Sequence, residues 1–473
     1  MKRILYTILA FATLLSVTAC NDWLDVSPET EKKKEEMLSK ESGYKNVLTG
    51  AYIRLKSTSL YGEQLSYGIV EMLAQHWNNT SAGSLANYLK KYDYRASAVE
   101  SAFSSLYGNL YKVIADVNGL LEEIDANKEV FSDNNYELIK GEALALRAFC
   151  HFDVLRLYGP MPTNLPSDAI LPYVTKVSIV PNSKVTYQEF TKQLLADLSE
   201  AESLMKDRDP ICFNSIAKLN GTALSGDTFW NYRQLRMNYY AVCALKARVH
   251  LWVGDKDEAL KYANLIIDAK DDTGKAMYRL GNSDDCASGD LTLSCEHIFN
   301  INVQDLAATS IGKGRGDIYQ KTQSLLKKNY YSTGTTDIRY TLMWENVYDS
   351  YWWTYNNYFQ KYIQADGMPS LAKNTIPLIR LYEMYLIAME CSDLTTANSL
   401  YETMCVARDI PSVEIADAAQ LQNLLVLEYN REFYGEGQAF YAYKRLGIET
   451  IIDSNEPGSA ATYVVPLPKA ENI

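Results

Sequence analysis

The chain has 473 residues, 47% hydrophobic and 22% charged, the mix of a folded globular protein rather than a disordered one. Its formal net charge is −12 with no basic cluster, which argues against a surface built for nucleic-acid phosphates. Tyrosine is prominent, 36 against 12 Phe and 7 Trp; most of these rings are expected between helices, and a minority on wet, polar surfaces.

The chain opens MKRILYTILAFATLLSVTAC. Lys2 and Arg3 precede an apolar run from Ile4 to Leu15, and small residues lead into Cys20, the layout of a secretory signal peptide over residues 1–19. Ser16-Val17-Thr18-Ala19-Cys20 resembles a lipobox, with Val17 where Leu is usual, so Cys20 is the expected lipidation site. The alternative is an ordinary signal peptide with Cys20 as a disulfide thiol. The apolar run is short for a spanning helix and no other approaches the ~20 residues required, so the mature protein is expected on a membrane rather than in one. Residues 20–40 are highly charged and read as a tether; 41–473 form the body, divided into helical parts 41–270 and 376–473 around a loop-rich insertion, 271–375.

Helical periodicity begins near Ser42. Residues 61–94 are Asn/Gly/Ser-rich and broken, with Trp77, Tyr88, Tyr92 and Tyr94 interspersed. Long helices are then expected over 99–125 and 136–158, the second stopped by Gly159-Pro160, where proline cannot continue it. Gly141 and Ala145 on this helix leave room for a neighbour's side chains. A Pro-containing excursion over 161–183 precedes a helix at 187–205. Residues 239–253 form a helix that turns at Gly254-Asp255 into a second, with Ala259, Ala263 and Ile266 inward, a pair resembling a tetratricopeptide repeat. A similar pair turns near Ser392-Asp393. Such pairs bury their open faces only by stacking, so several must adjoin. The insertion carries strand-like segments at 297–303 and 357–363 and the aromatic run Tyr351-Trp352-Trp353-Thr354-Tyr355. A long loop-rich insertion within a helical scaffold is usually functional.

Four stretches in order resemble the SusD/RagB family of Bacteroidetes outer-membrane lipoproteins: Cys20 followed by DWLDVSPET; GEALALRAFCHFDVLRLYGPMP from Gly141; KYIQADG from Lys361 with IPLIRLYEMYLIAMEC from Ile376; and EYNREFYGEGQAFYAYKRLG from Glu428. A late PLPKAENI echoes the family's Pro-rich ending. In the fourth stretch the chain departs from the family at Tyr429, Gln438-Ala439-Phe440 and Ala442-Tyr443, which points to a divergent subfamily with an unfamiliar ligand. The resemblance implies a mainly α fold of stacked tetratricopeptide-like helix pairs with a loop-rich lobe carrying a few short strands. It also implies a non-catalytic, surface-exposed lipoprotein of the outer membrane, which captures an oligosaccharide, or in some relatives a peptide, for a SusC-like TonB-dependent transporter. A tetratricopeptide scaffold without a nutrient ligand, or a secreted glycoside hydrolase, are the alternatives of other classes.

Catalytic and metal motifs are absent from the sequence: it has no CxxC, HExxH, GxSxG or Walker loop, and no cofactor or metal is expected. His151 and His250 sit mid-helix among apolar residues, as core histidines do. Cys150, Cys243, Cys391 and Cys405 read as small buried hydrophobes, while Cys286 and Cys295 could pair in an oxidising compartment. Glu142 and Arg147, and Arg431 with Glu436, read as internal ion pairs or helix-end partners. For ligand contact the candidates are aromatics outside helical periodicity: a flat ring takes the C–H face of a sugar while amide side chains take its hydroxyl edge. The resemblance places family ligand sites in the loop after the first helix and in the insertion, which here supply Trp77, Asn78 and Tyr88, and Trp352, Trp353 and Tyr355. Strand alternation lets at most one of Trp352 and Trp353 face a ligand.

Overall fold

A computed structural model describes residues 29–78, 83–221, 227–313, 319–332, 334–351 and 353–472. The signal peptide expected over residues 1–19 and the expected lipidation site Cys20 lie outside them. Helix α1 (Glu29–Leu38) already occupies the stretch expected as tether: Leu38 is buried, and Lys34 pairs with Glu122 at 3.3 Å and Glu123 at 3.1 Å. Then follow α2 (Glu41–Leu55), α3 (Ser97–Ile124), α4 (Asn135–Tyr158), α5 (Tyr187–Met205), α6 (Tyr239–Val253) and α7 (Lys256–Ile267). After the insertion come α8 (Leu381–Cys391), α9 (Leu394–Ala407), α10 (Ala418–Glu432) and α11 (Ala439–Leu446). From α2 to α9 each helix packs on the next in chain order, an unbroken array of antiparallel-type pairs. The fold is mainly helical, with a lobe of loops and short strands set into the array.

Local chemistry explains these boundaries. Gly254, at φ 86°, ends α6 in the left-handed conformation that glycine adopts without strain, and the Asp255 side chain caps α7 by accepting from Glu258 N. Asp393 does the same for α9, accepting from Thr396 N at 2.9 Å. Helix α4 is buried on every side from Gly141 to Tyr158, so its small residues set the spacing: a Cβ at Gly141 would stand 2.6 Å from Met205 Cγ of α5. Its carboxyl end is closed by a side chain from α11. Lys444 Nζ donates to the carbonyls of Arg156, Leu157 and Gly159 at 2.8, 3.1 and 2.7 Å, satisfying groups that a helix end leaves open.

Every polar residue this buried needs a partner. Glu142 meets Arg233, Arg236 and the Tyr52 hydroxyl, while Arg147 forks onto Asp197 at 2.7 and 2.6 Å; both are internal ion pairs, each with partners from other segments. His151 donates from Nδ1 to Arg147 O and accepts at Nε2 from Val174 N–H, each at 2.9 Å. A second ring proton would point at that N–H, and burial further disfavours the cation, so the imidazole is held neutral with its pKa pushed down to about 3. The unfolded chain therefore binds a proton that the native state refuses between pH 6.5 and about 3, and stability falls as pH drops through that window. The loss by pH 4 should be on the order of 3 kcal/mol. A His151→Gln variant, having no group to titrate, should lose stability less steeply between pH 7 and 4 in urea melts; an unchanged slope would refute this assignment.

Among the described residues five strands form two antiparallel sheets. β1 (His297–Asn302) pairs with β5 (Thr375–Arg380), and β2 (Gln320–Thr322), β4 (Thr354–Phe359) and β3 (Trp344–Asp349) lie in the order β2-β4-β3. The strand expected at 357–363 thus starts and ends earlier. Lys361 and Tyr362 leave the sheet because Lys361 Nζ is bound by Glu436 Oε1 at 2.7 Å and Glu432 O at 3.0 Å, and the Tyr362 hydroxyl donates to Gly435 O. Cys286 and Cys295 are separate thiols, and Cys295 Sγ lies 3.8 Å from Asp285 Oδ2, so the pairing considered for them is not made.

Candidate functional site

The β3–β4 hairpin alternates, and its two faces have different fates. On one face three cross-strand pairs run from core to tip: Trp344 with Phe359, Asn346 with Asn357, Tyr348 with Tyr355. The first pair is buried, with ring centroids 5.1 Å apart. The second is joined by an amide–amide hydrogen bond, and Asn357 is buried with no partner on its Nδ2. The third pair has centroids 5.0 Å apart and both rings about half exposed. At the tip Tyr351 is 79% and Trp353 83% exposed, and Asp349 Oδ1 accepts from Tyr351 N. No lysine or arginine occurs from Trp344 to Phe359, so the rings are not covered by a cation of their own hairpin. The arrangement offers flat apolar faces beside amide groups.

Trp353 holds φ at 50°. A bulky side chain there costs about 1–2 kcal/mol relative to glycine, the residue a hairpin turn ordinarily places in that conformation. A large aromatic kept both strained and exposed serves no packing purpose.

Of the aromatics singled out in the insertion, Trp353 and Tyr355 are both exposed on this hairpin. Trp352 lies outside the described residues. Trp77 corrects the expectation: it is 4% exposed, its Nε1 donates to Tyr67 O, and its ring meets Tyr319, Phe359 and Tyr434 edge-on at 5.1–5.5 Å. It forms the floor beneath the sheet and presents no face to a ligand. Asn78 extends the same sheet, its N–H donating to Gln320 O of β2 at 2.9 Å, and its side chain is half-buried. Tyr88 sits half-buried on the short helix Leu85–Lys90, packed on the main core. Sequence reasoning missed Tyr348, Asn346 and Asn357. Their signal was the i, i+2, i+4 spacing of Trp344, Asn346 and Tyr348 opposite the mirror set in β4.

The motif residues lie elsewhere, in an ionic core between lobe and helices. Glu432 accepts from Arg380 Nη1 at 2.8 Å, from Arg408 Nε and Nη2 at 2.9 and 2.8 Å, and from Arg339 Nη1 at 3.2 Å. Glu296 bridges Arg380 and Arg408, Glu436 binds Lys361 and Arg380, and Glu428 binds Arg339 and the Tyr382 hydroxyl. Arg431 pairs with Glu428 at 3.0 Å, not with Glu436. The reason is the turn after α10. Gly435 and Gly437, at φ 77° and 73°, swing Glu436 inward, and a Cβ on Gly437 would stand 2.2 Å from Leu65 O. The guanidinium groups hold Glu428 down to about 2 and Glu432 well below the usual carboxylate range, against the opposing effect of burial.

A family of SusD-like proteins described as starch-binding and associating with the outer membrane matches residues 22–214. Two SusD-like proteins of Formosa agariphila are 25% identical over 164 residues and 26% identical over 265 residues, 34% and 54% of this chain. The matches span only 30% and 44% of those relatives' own length. A SusD superfamily protein of Bacteroides thetaiotaomicron superposes with a TM-score of 0.70 at 19% identity, over 92% of this chain and 97% of that one. A SusD-like carbohydrate-binding protein of Bacteroides vulgatus gives 0.67 at 16% identity over 92% and 96%. A laminarin-binding SusD-like protein gives 0.62 at 15% identity over 92% and 97%. The chain is thus similar in sequence to SusD-like proteins over residues 22–214, and it shares the fold of their solved structures along 92% of its length.

Proposed function

We propose that this is a non-catalytic nutrient-binding protein that holds an oligosaccharide on the exposed aromatic tip of the β3–β4 hairpin. The observation that carries the reading is the tip itself: Tyr348, Tyr351, Trp353 and Tyr355 exposed on one short hairpin, with Asn346 and Asn357 beside them. Rings take the C–H faces of pyranose units and amides take their hydroxyls. The family's description as starch-binding and the name of the laminarin-binding neighbour support a glucan or similar glycan as the ligand class. Cys20 would carry the lipid that keeps the protein at the outer membrane, exposed at the surface and tethered through residues 20–28 beside a SusC-like TonB-dependent transporter. The apolar leader that ends in Ala19-Cys20 supports such an anchor.

Affinity gels containing starch or laminarin test the reading. Retardation of the wild type by at least one glucan, abolished in Tyr348→Ala/Tyr355→Ala with an unchanged melting temperature, is the expected result. Equal retardation of both proteins would remove the hairpin as the site. Release of reducing ends from the glucan during the run would contradict the non-catalytic assignment.

A further inference from the structure

Trp353 is not alone among exposed aromatics in left-handed backbone. Tyr232 holds φ 55°, ψ 46° and is 50% exposed; among the described residues these are the two exposed aromatics in that conformation. Its strain has a visible source. The next residue, Arg233, is wholly buried and forks onto Asp209 at 2.9 and 2.6 Å while also meeting Glu142, which anchors the short turn Arg233–Leu235. Tyr232 N–H donates to Leu219 O at 2.9 Å. The backbone is thus held from both sides, and the ring is pushed outward. Strain of this kind persists where the surroundings over-determine it and gathers at functional sites.

Tyr232 lines two clefts. One, of about 270 Å³, is lined by Tyr52, Asn231, Arg236 and Asn302 among others, and the second, of about 230 Å³, by Asn220, Asn300, Asn302 and Thr375; both include Tyr232 and Leu235. Each alone is smaller than the ~300–1,000 Å³ usual for small-molecule sites, but adjoining they reach that range. Half-buried amide side chains line them, Asn231 and Asn302 in the first and Asn220 and Asn302 in the second. No carboxylate lines either cleft; the first is also lined by two cations, Arg236, whose charge is met by Glu142 Oε2 at 3.0 Å, and Lys56.

We propose that Tyr232 and the two clefts it lines form a second saccharide-binding site, which takes a short glycan with the ring as its platform. The site extends the glycan-capture reading but shares no residue with the hairpin. The chemistry matches that of the tip, an aromatic face with amides at the edge, built here on a rigid turn and on β1.

Saturation-transfer NMR with maltose, cellobiose and laminaribiose tests it on the wild type, Tyr232→Gly, Asn302→Ala and the hairpin variant Trp353→Ala/Tyr355→Ala. At least one disaccharide should bind the wild type and the hairpin variant alike, and bind Tyr232→Gly about tenfold more weakly, the size of a lost aromatic contact. Tyr232→Gly should melt at or above the wild-type temperature, because glycine accepts the backbone that tyrosine resists. A lower melting temperature with binding retained would make Tyr232 structural and overturn the proposal. Should Tyr232→Gly not fold, weakened binding by Asn302→Ala decides in favour and unchanged binding against. Loss in the hairpin variant with normal binding by Tyr232→Gly would overturn this site and leave the hairpin reading intact; the hairpin reading itself is decided by the glucan gels, whose polymer can span the tip. No binding of any disaccharide to the wild type overturns the proposal.

Discussion

Glu432→Gln should lower the stability of the folded protein by about 3–5 kcal/mol, the cost of removing one member of a buried ion-pair network. Five cations, Arg339, Lys361, Arg380, Arg408 and Arg431, face five carboxylates, Asp337, Glu296, Glu428, Glu432 and Glu436. Glu432 touches three of the arginines, and none of these can shed its proton to relieve the imbalance. Glutamine keeps the shape and one acceptor but leaves a buried positive charge uncompensated. The measurement is the urea midpoint, compared with Lys261→Ala, whose surface pair with Glu258 should move it by less than about 1 kcal/mol. The network also sets an acid limit. Glu428 and Glu432 have depressed native pKa values, so their stabilisation is complete above the unfolded value near 4.5 and is lost as pH falls from there toward about 2. Glu432→Gln should flatten that part of the acid melt. A midpoint within about 1 kcal/mol of wild type would show that the network relaxes around the loss and does not hold lobe to helices.

This network also marks where local sequence stops being informative. Helices α4 to α7 are legible in the sequence because periodicity and punctuation agree: the helix expected over 136–158 is Asn135–Tyr158, stopped where Gly159-Pro160 requires it. The helix pair turning at Ser392-Asp393 is legible for the same reason. Partners inside the ionic core are not. Arg380 reaches residues 52 to 84 positions away, and no local spacing announces that Glu432 belongs to three arginines at once. Arg431 and Glu436 look like neighbours in sequence because only the left-handed glycines between Tyr434 and Gln438 reveal that the chain turns Glu436 away. Trp77 looks free because it falls outside any helical face. What buries it is the sheet from the insertion, some 240 to 280 residues later, bringing Tyr319 and Phe359 against it.

Burial likewise separates scaffold from site. Residues of the recognisable stretches, Glu142, Arg147, Lys361, Arg380, Glu383 and Glu428 through Gly437, are nearly all buried and bonded to one another or to the lobe. They position the hairpin without touching solvent at its tip. The candidate ligand contacts carry no such pattern, because a tip needs only exposed rings at alternate positions. A shared fold can therefore present different surfaces, and this chain's surface has to be read from its own side chains.

Trp353 gives the sharpest test of that surface, because its two roles can be pulled apart. Trp353→Ala removes the ring but leaves a Cβ in the left-handed backbone, whereas Trp353→Gly removes both ring and strain. If the ring contacts glycan, each substitution should weaken binding by about 2 kcal/mol, roughly 30-fold, as for a central aromatic contact. Only the glycine variant should also gain about 1 kcal/mol in hairpin stability, seen as slower hydrogen exchange at the β3 and β4 amides. Calorimetric titration against the glucan retained in the gels, together with exchange on both variants, reads the two effects independently. Were Trp353 merely a turn residue, the glycine variant would be the more stable protein and would bind as well as the wild type. Weaker binding together with a more rigid hairpin has one explanation: the strain at this turn is kept because the tryptophan has to face outward.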